Sequence, residues 1–260
     1  MRAELQNVTK VVTVRGKPRP LFDKLSLPIE EGSRIGILAL PKSGKSTLLR
    51  LICGTARYDG GTIRRDMNIS WPIPLSDFLA PHSSIAWNIR SIARLYGVEE
   101  SEYVRRVGEL GNITKYLNLP LPACPPFVRP QLGFALGIGM DFDLYLFDNV
   151  CVPQRKEFKP VGVEHLRQRT EGRAIVVATS LPPQISEICD SAYVLENGRL
   201  AHFPGVAECV AYFKEMQQAE AERQKELQGR SNAEDDDQEP GAEEDARSVD
   251  MAVAGLSDII

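Results

Sequence analysis

The sequence predicts an α/β fold in which helices cover a mainly parallel β-sheet. Three short runs, at 34–40, 144–147 and 174–178, are almost wholly apolar, which is typical of strands buried on both faces. Segments with a helical spacing of apolar residues separate these runs, and such alternation indicates a parallel sheet. A turn with glycine and serine joins the first run to an apolar helix, the arrangement of a phosphate-binding loop.

Length and composition are those of an ordinary globular protein. The 260 residues are 43% hydrophobic and 25% charged, which is enough to bury a core without disulfides. No run reaches the roughly 18 consecutive apolar residues of a membrane span, and residues 1–6 lack the apolar region of a signal peptide. The five cysteines are scattered and odd in number, which argues against a disulfide framework or a zinc site. We therefore expect a cytoplasmic protein.

The charge is unevenly distributed along the chain. Residues 231–260 hold ten acids and one base, a net charge of −9, whereas residues 1–230 hold 30 bases and 25 acids, a net charge of +5. The mildly basic body suits a phosphate ligand or an acidic membrane-proximal surface, and it is too weak a signal for nucleic acid, which is not an expected partner. The acidic tail from residue 229 is expected to be disordered, and its apolar end at 251–260 resembles a short docking peptide.

Local patterns predict the elements of the first half. Valines, glycine and prolines in 5–40 predict strands with turns, and Gly60-Gly61 predicts a hairpin over 60–71. Ser83 or Ser84 can cap a helix. Its apolar stripe consists of Ile85, Ile89, Ile92 and Tyr96.

The second half predicts more helix, divided by prolines. Residues 100–118 and 131–140 have helical patterns, and a proline-rich stretch at 120–130 separates them. A hairpin is predicted over 192–200, with Asn197-Gly198 in its turn. Residues 206–228 are expected to form a helix that becomes increasingly polar.

The segment 39–47 matches the phosphate-loop pattern, with Ala39 in the first small position. Successive backbone N–H groups in such a loop form a concave anion site, and the following helix directs the positive end of its dipole at it. Lys45 would reach the β- and γ-phosphates, and Ser46 would offer its hydroxyl to Mg²⁺. The predicted nucleotide-binding residues are Ala39, Lys42, Ser43, Gly44, Lys45, Ser46 and Thr47.

A second metal-binding group is predicted at the end of another strand. Asp148 follows the apolar run 144–147, which is where the Walker B aspartate of phosphate-loop proteins stands. The expected cofactors are therefore ATP and Mg²⁺, with the metal held by Ser46 and Asp148.

Several segments together resemble one family. These are 43–52, Ile69-Ser70-Trp71-Pro72, 88–96 and 141–148, and they are similar to the ATP-binding subunits of ABC transporters, in particular those that energise capsular polysaccharide export. The resemblance covers about residues 5–203. It implies a P-loop, ABC-type nucleotide-binding domain over 1–228, with an antiparallel β region and an inserted helical subdomain at roughly 74–140. The separation of Lys45 and Asp148 along the chain accommodates that insertion.

The resemblance also shows where this sequence departs from the family at the nucleotide. The stretch 11–13 has no ring where the family stacks an aromatic residue on adenine. Leu79-Ala80-Pro81 has no glutamine where the family senses the γ-phosphate. Lys42 stands in the phosphate loop where the family usually has glycine.

Further departures fall on the residues that the family uses for hydrolysis. Asn149 occupies the position of the glutamate that polarises water, and Ser180, or its neighbour Thr179, occupies that of the switch histidine. The Ser-Ser-Gly-Met signature corresponds to 125–128, which begins with two prolines, and the aspartate of the next loop corresponds to Arg155. These losses beside a retained phosphate loop suggest a chain that holds nucleotide and hydrolyses it weakly or not at all.

The family implies partners. Its ATP-binding domains sandwich two ATP molecules in a head-to-tail dimer, so the resemblance implies a homodimer, or a heterodimer with another ATP-binding subunit. It also implies a permease subunit in the inner membrane, with this chain peripheral on the inner face. In either dimer both composite sites would lack catalytic groups.

Three functions remain open at the level of sequence. The first is the ATP-binding subunit of a capsular polysaccharide exporter, which would co-purify with a permease. The second is a free-standing regulatory pseudo-ATPase, which would bind nucleotide without turnover and without a permease. The third is a small-molecule kinase, for which the sequence supplies neither lid arginines nor an acceptor base.

Overall fold

The computed structural model describes residues 1–14, 16–74 and 79–236. The chain divides into two units, Met1–Gln217 and Gln218–Ile260, and the architecture below belongs to the first, apart from the part of the last helix that follows Gln217. The predicted docking peptide at 251–260 lies outside the described residues. The predicted domain limit at residue 228 stays a prediction.

The strands form two sheets. The described strands are β1 (Arg2–Val14), β2 (Lys17–Glu30), β3 (Arg34–Ala39), β4 (Gly60–Arg65), β5 (Ile69–Ile73), β6 (Leu144–Asp148), β7 (Ala174–Thr179), β8 (Ser191–Glu196) and β9 (Arg199–Phe203). A three-stranded antiparallel sheet has the order β2-β1-β4, and a six-stranded sheet has the order β5-β6-β7-β3-β8-β9. In the larger sheet every pair is parallel except β8 and β9. The predicted α/β class is confirmed.

The helices lie between the strands in sequence. The described α-helices are α1 (Lys45–Ile52), α2 (Ile85–Tyr96), α3 (Glu100–Leu110), α4 (Val128–Gly139), α5 (Lys159–Arg169), α6 (Pro183–Ser186) and α7 (Val206–Asp236). The predicted cap of α2 is Ser84, whose hydroxyl accepts a hydrogen bond from the Trp87 amide at 3.2 Å. No helix of the described ranges is both long and apolar enough to cross a membrane.

The larger sheet is buried on both faces because successive side chains of its central strands enter different cores. Leu144 and Leu146 pack with α1 and the antiparallel sheet. Tyr145 and Phe147 point the other way and pack with residues of α2, α3 and α4. The Tyr103 hydroxyl of α3 donates to the Leu136 carbonyl of α4 at 2.7 Å and so joins these two helices. They lie within residues 74–140, where the resemblance places an inserted helical subdomain, and that subdomain stays a prediction.

The predicted hairpin over 60–71 is wrong. β4 pairs antiparallel with β1, whereas β5 pairs parallel with β6 in the other sheet. Gly61, with φ +87°, is not a hairpin turn, because an added Cβ would lie 2.4 Å from the Asn7 carbonyl oxygen. The glycine therefore allows β4 to approach the backbone of β1 closely.

Three strand ends meet at one edge of the larger sheet and define the site. β3 lies between β7 and β8, and β6 pairs with β7 in register, with Asp148 opposite Ala178. The segments that follow β3, β6 and β7 therefore leave the sheet side by side. In open α/β sheets this carboxyl edge is where ligands bind.

Candidate functional site

The loop between β3 and α1 has the backbone conformation of an anion-binding turn. Lys42 and Gly44 both have positive φ, at +64° and +101°. Gly44 precedes α1 without a side-chain cap, and the first turn of α1 carries no acidic residue. A Cβ at Gly44 would lie 3.1 Å from side-chain atoms of Leu21 and Phe22, so the loop packs tightly on β2. The start of α1 thus has uncapped N–H groups and carries the positive end of the helix dipole.

Lys45 is the buried cation of the site. It is only 8% exposed, and its ammonium donates to the Ala39 and Leu40 carbonyls at 3.2 and 3.1 Å. Burial lowers the pKa of Lys45, and the nearby Asp148 carboxylate opposes that shift. An ammonium has three donors, so one remains for an anion in the cleft.

The loop fits the phosphates of a nucleotide. The Ser43 hydroxyl oxygen is buried and has no hydrogen-bond partner in the described part of the chain. A buried polar atom of this kind is costly unless a ligand satisfies it. Together with the uncapped start of α1 and the remaining donor of the Lys45 ammonium, it makes a set of donors that an anion can satisfy.

A cleft of about 490 Å³ opens over this loop. Of the predicted nucleotide-binding residues, Lys42, Gly44, Lys45, Ser46 and Thr47 line it. Ala39 and Ser43 do not: Ala39 is buried in the sheet and contributes its carbonyl to Lys45. Leu21 and Pro41 also line the cleft and escaped prediction, because nothing in the local pattern of β2 distinguishes Leu21 from a core residue.

Asn149 also lines the cleft and is held in place by backbone hydrogen bonds. It lies directly after β6 with φ +66°, a conformation that asparagine tolerates well. Its N–H donates to the Ala178 carbonyl at 2.8 Å, and its carbonyl accepts from the Thr179 hydroxyl at 2.7 Å. Its side-chain amide donates to a carboxylate oxygen of Asp148 at 3.3 Å. An amide in this position can orient a group but cannot take a proton.

Asp148 and Ser180 complete the predicted set. Asp148 ends β6, as the sequence predicts, and its carboxylate acts on the Lys45 ammonium although it does not line the cleft. Ser180 follows β7 and lines the cleft beside Asn149. In the described ranges, no group of three or more His, Cys, Asp or Glu residues could hold a metal by itself. A magnesium ion would therefore need nucleotide oxygens in addition to Ser46 and Asp148.

The segment 125–128 and Arg155, which the resemblance aligns with the family's signature and its next loop, are in contact. The Arg155 guanidinium lies 3.9 Å from the ring centroid of Phe127, and the Tyr116 ring is 5.9 Å away on another side. Phe127 immediately precedes α4, whose first residue, Val128, donates its N–H to the Pro125 carbonyl at 3.0 Å. No residue of this group lines the 490 Å³ cleft.

The chain resembles known proteins in sequence. A family model described as "ABC transporter" matches residues 22–96. The ATP-binding protein BexA of Haemophilus influenzae is 31% identical over 82% of this chain and 98% of its own length. The capsule polysaccharide export ATP-binding protein CtrD of Neisseria meningitidis serogroup B is 30% identical over 82% of this chain and 98% of its own length.

Solved structures share the fold. A dimeric ATP-binding cassette in a post-hydrolysis state, bound to ADP and Pi, matches 77% of this chain and 97% of its own, with a TM-score of 0.68 at 16% identity. An ATP-binding subunit of an ABC transporter matches 78% of this chain and 90% of its own, with a TM-score of 0.65 at 19% identity. The fold and the resemblance in sequence agree: this chain belongs to the ABC transporter family, among its ATP-binding proteins.

Proposed function

We propose that this chain is the ATP-binding subunit of a capsular polysaccharide exporter and that it holds Mg-ATP while hydrolysing it weakly or not at all. The name of the relative CtrD, a capsule polysaccharide export ATP-binding protein, supports the exporter class. ABC ATP-binding subunits dimerise and pair with permeases, so the proposed partners are a second ATP-binding subunit and an inner-membrane permease. The chain would then lie on the cytoplasmic face of that membrane.

The binding half of the proposal rests on the phosphate loop. Lys45 and the start of α1 would hold the β- and γ-phosphates, with Ser43 and Thr47 adding donors. Ser46 and Asp148 would hold Mg²⁺. The ion, when bound, neutralises charge on the phosphate oxygens and polarises the terminal phosphate.

The proposed weakness in hydrolysis rests on the presence of Asn149 in the cleft. Its side chain reaches the cleft wall and donates to Asp148, but it cannot accept a proton from water. Ser180, which also lines the cleft, has no basic nitrogen. ATP occupancy could still bias a partner's conformation, because a ligand shifts an equilibrium through differential affinity alone.

The test measures binding and turnover on the same purified full chain. Calorimetry gives the Mg-ATP dissociation constant, and steady-state phosphate release gives turnover, each with Lys45→Ala as control. We expect measurable binding that Lys45→Ala weakens about 100-fold, with phosphate release by the wild type no faster than by that variant. The proposal of weak hydrolysis would be overturned if the wild type released phosphate at rates comparable to intact family members and Lys45→Ala eliminated that release.

Co-expression distinguishes the exporter from a free-standing regulatory pseudo-ATPase. The full chain, tagged, is purified from membranes that contain the permease of the same gene neighbourhood and from membranes that lack it. Recovery that depends on the permease supports the exporter subunit. Nucleotide binding with no retention on those membranes would favour the regulatory protein instead.

A further inference from the structure

We propose that Lys42 is a second phosphate-binding cation, which this chain supplies from its own loop to grip the terminal phosphate of the nucleotide. The inference rests on the proposed nucleotide binding and adds a selectivity to it. It makes Lys42 a residue that distinguishes a triphosphate from a diphosphate.

The backbone at Lys42 is the first observation. Its φ of +64° lies in the left-handed region, which glycine enters freely and lysine does not. Among the described non-glycine residues with positive φ, four are asparagines, which tolerate this region, and the other two are Lys24 and Lys42. Lys24 lies on β2, outside the cleft, whereas Lys42 lines it. A strained residue that persists in a cleft points to a use for its side chain.

The charge of Lys42 is the second observation. Lys42 is exposed, and no hydrogen bond or ion pair links its ammonium to another described residue. The Lys45 ammonium, by contrast, donates two hydrogen bonds, to the Ala39 and Leu40 carbonyls. The described lining of the cleft contains no acidic side chain, and the lining residues Asn149 and Ser180 are neutral. The Lys42 charge is therefore available to an anion in the cleft.

The third observation concerns what another subunit could offer. Pro125 and Pro126 lack the backbone N–H groups that the family's signature directs at a nucleotide across the dimer, and Phe127 is engaged with Arg155. A cation in the loop itself compensates for such a loss, because it needs no second chain. Lys42 would therefore act on the nucleotide in the isolated subunit.

The test separates charge from backbone strain. Lys42→Gly removes both, Lys42→Met removes the charge alone, and Lys42→Arg keeps the charge. We expect both Lys42→Gly and Lys42→Met to weaken Mg-ATP binding about 10-fold and Mg-ADP binding less than about 3-fold, while Lys42→Arg stays within about 3-fold of the wild type for both. Lys42→Gly should nevertheless raise the thermal midpoint of the nucleotide-free protein.

Lys24→Gly is the matched control, because it relieves the same backbone conformation at an exposed lysine outside the cleft. It should raise the thermal midpoint and leave nucleotide affinity unchanged. Lys42→Gly binding Mg-ATP as tightly as the wild type, or losing ATP and ADP affinity equally, would overturn the inference. If Lys45→Ala weakens binding about 100-fold in the same assay, the proposed nucleotide binding stands even then. A wild-type chain that binds neither nucleotide would overturn both.

Discussion

Among the described helices, α1 and α4 begin after turns that differ in the hydrogen-bond donors they leave free. Before α1, Gly44 adopts φ +101° and no side chain caps the helix. Before α4, Pro125 and Pro126 have no N–H to offer, and the Pro125 carbonyl takes the N–H of Val128. Residues of the first turn line the cleft, whereas none of the second turn does.

The cationic side chains at the two turns also differ in whether they are available to a ligand. Lys45 directs an ammonium with a spare donor into the cleft. At the second turn, the Arg155 cation stacks on Phe127, and Tyr116 packs against the same ring. The comparison teaches that glycine and a cation with a spare donor leave the start of a helix accessible to an anion. Prolines and a packed aromatic ring remove that accessibility.

The largest effect should come from removing the buried cation of the first turn. Lys45→Ala should weaken Mg-ATP binding by about 3 kcal/mol, roughly 100-fold, because it removes a charge-assisted contact from a desolvated site. Calorimetry on the full chain measures it. Lys214→Ala, at an exposed position of α7, is the control and should leave the affinity unchanged. Equal affinities for the two variants would mean that the first turn is not the nucleotide site.

A smaller effect should follow from crowding the same turn. Gly44→Ala places a Cβ 3.1 Å from Leu21 and Phe22 atoms at a positive φ, so we expect unfolding free energy to fall by about 2 kcal/mol and ATP affinity to fall with it. Gly97→Ala is matched, because Gly97 also has positive φ but an added Cβ meets nothing within 4 Å. That control should cost about 1 kcal/mol of stability and no affinity. Chemical denaturation measures the stability of both variants, and calorimetry measures their affinity for ATP. A Gly44→Ala protein that binds ATP as tightly as the wild type would contradict the expectation.

At the second turn, the expected effect is on stability alone. Phe127→Ala removes the ring that Arg155 and Tyr116 contact, and should lower the unfolding free energy by about 1.5 kcal/mol. ATP affinity should not change, since Phe127 does not line the cleft. Phe127→Leu keeps an apolar side chain and isolates the contribution of the ring. A loss of ATP affinity in the isolated Phe127→Ala subunit would erase the distinction between the two turns.

The first turn could be predicted from sequence because its chemistry is local. Lys45 and Ser46 follow Gly44 at fixed spacing, and the buried strand before them is visible as an apolar run. Asp148 could be placed for the same reason, at the end of another apolar run.

The second turn could not be predicted, because its contacts join distant parts of the chain. Neither Phe127 nor Arg155 lies in a periodic pattern, and their contact depends on how α4 and the segment after β6 pack. The predicted hairpin at Gly61 was wrong for a similar reason. The glycine is needed where β4 approaches the Asn7 backbone on β1, and no local pattern reveals that contact. Long-range contacts of this kind have no signature in a single sequence.

The smallest expected effect is a gain, at the position where the resemblance places an aromatic ring on adenine. Val11 is 39% exposed on β1, and its backbone N–H donates to Asp59, a bond that a new side chain leaves intact. Val11→Tyr should tighten Mg-ATP binding by about 1 kcal/mol, roughly 5-fold, through stacking on the base. Inorganic tripolyphosphate, which has no base, should bind both proteins equally. Val14→Tyr, on the same strand and 47% exposed, should give no gain. An equal gain for tripolyphosphate would mean that the new ring acts on the phosphate loop, and no gain at all would mean that the base lies elsewhere.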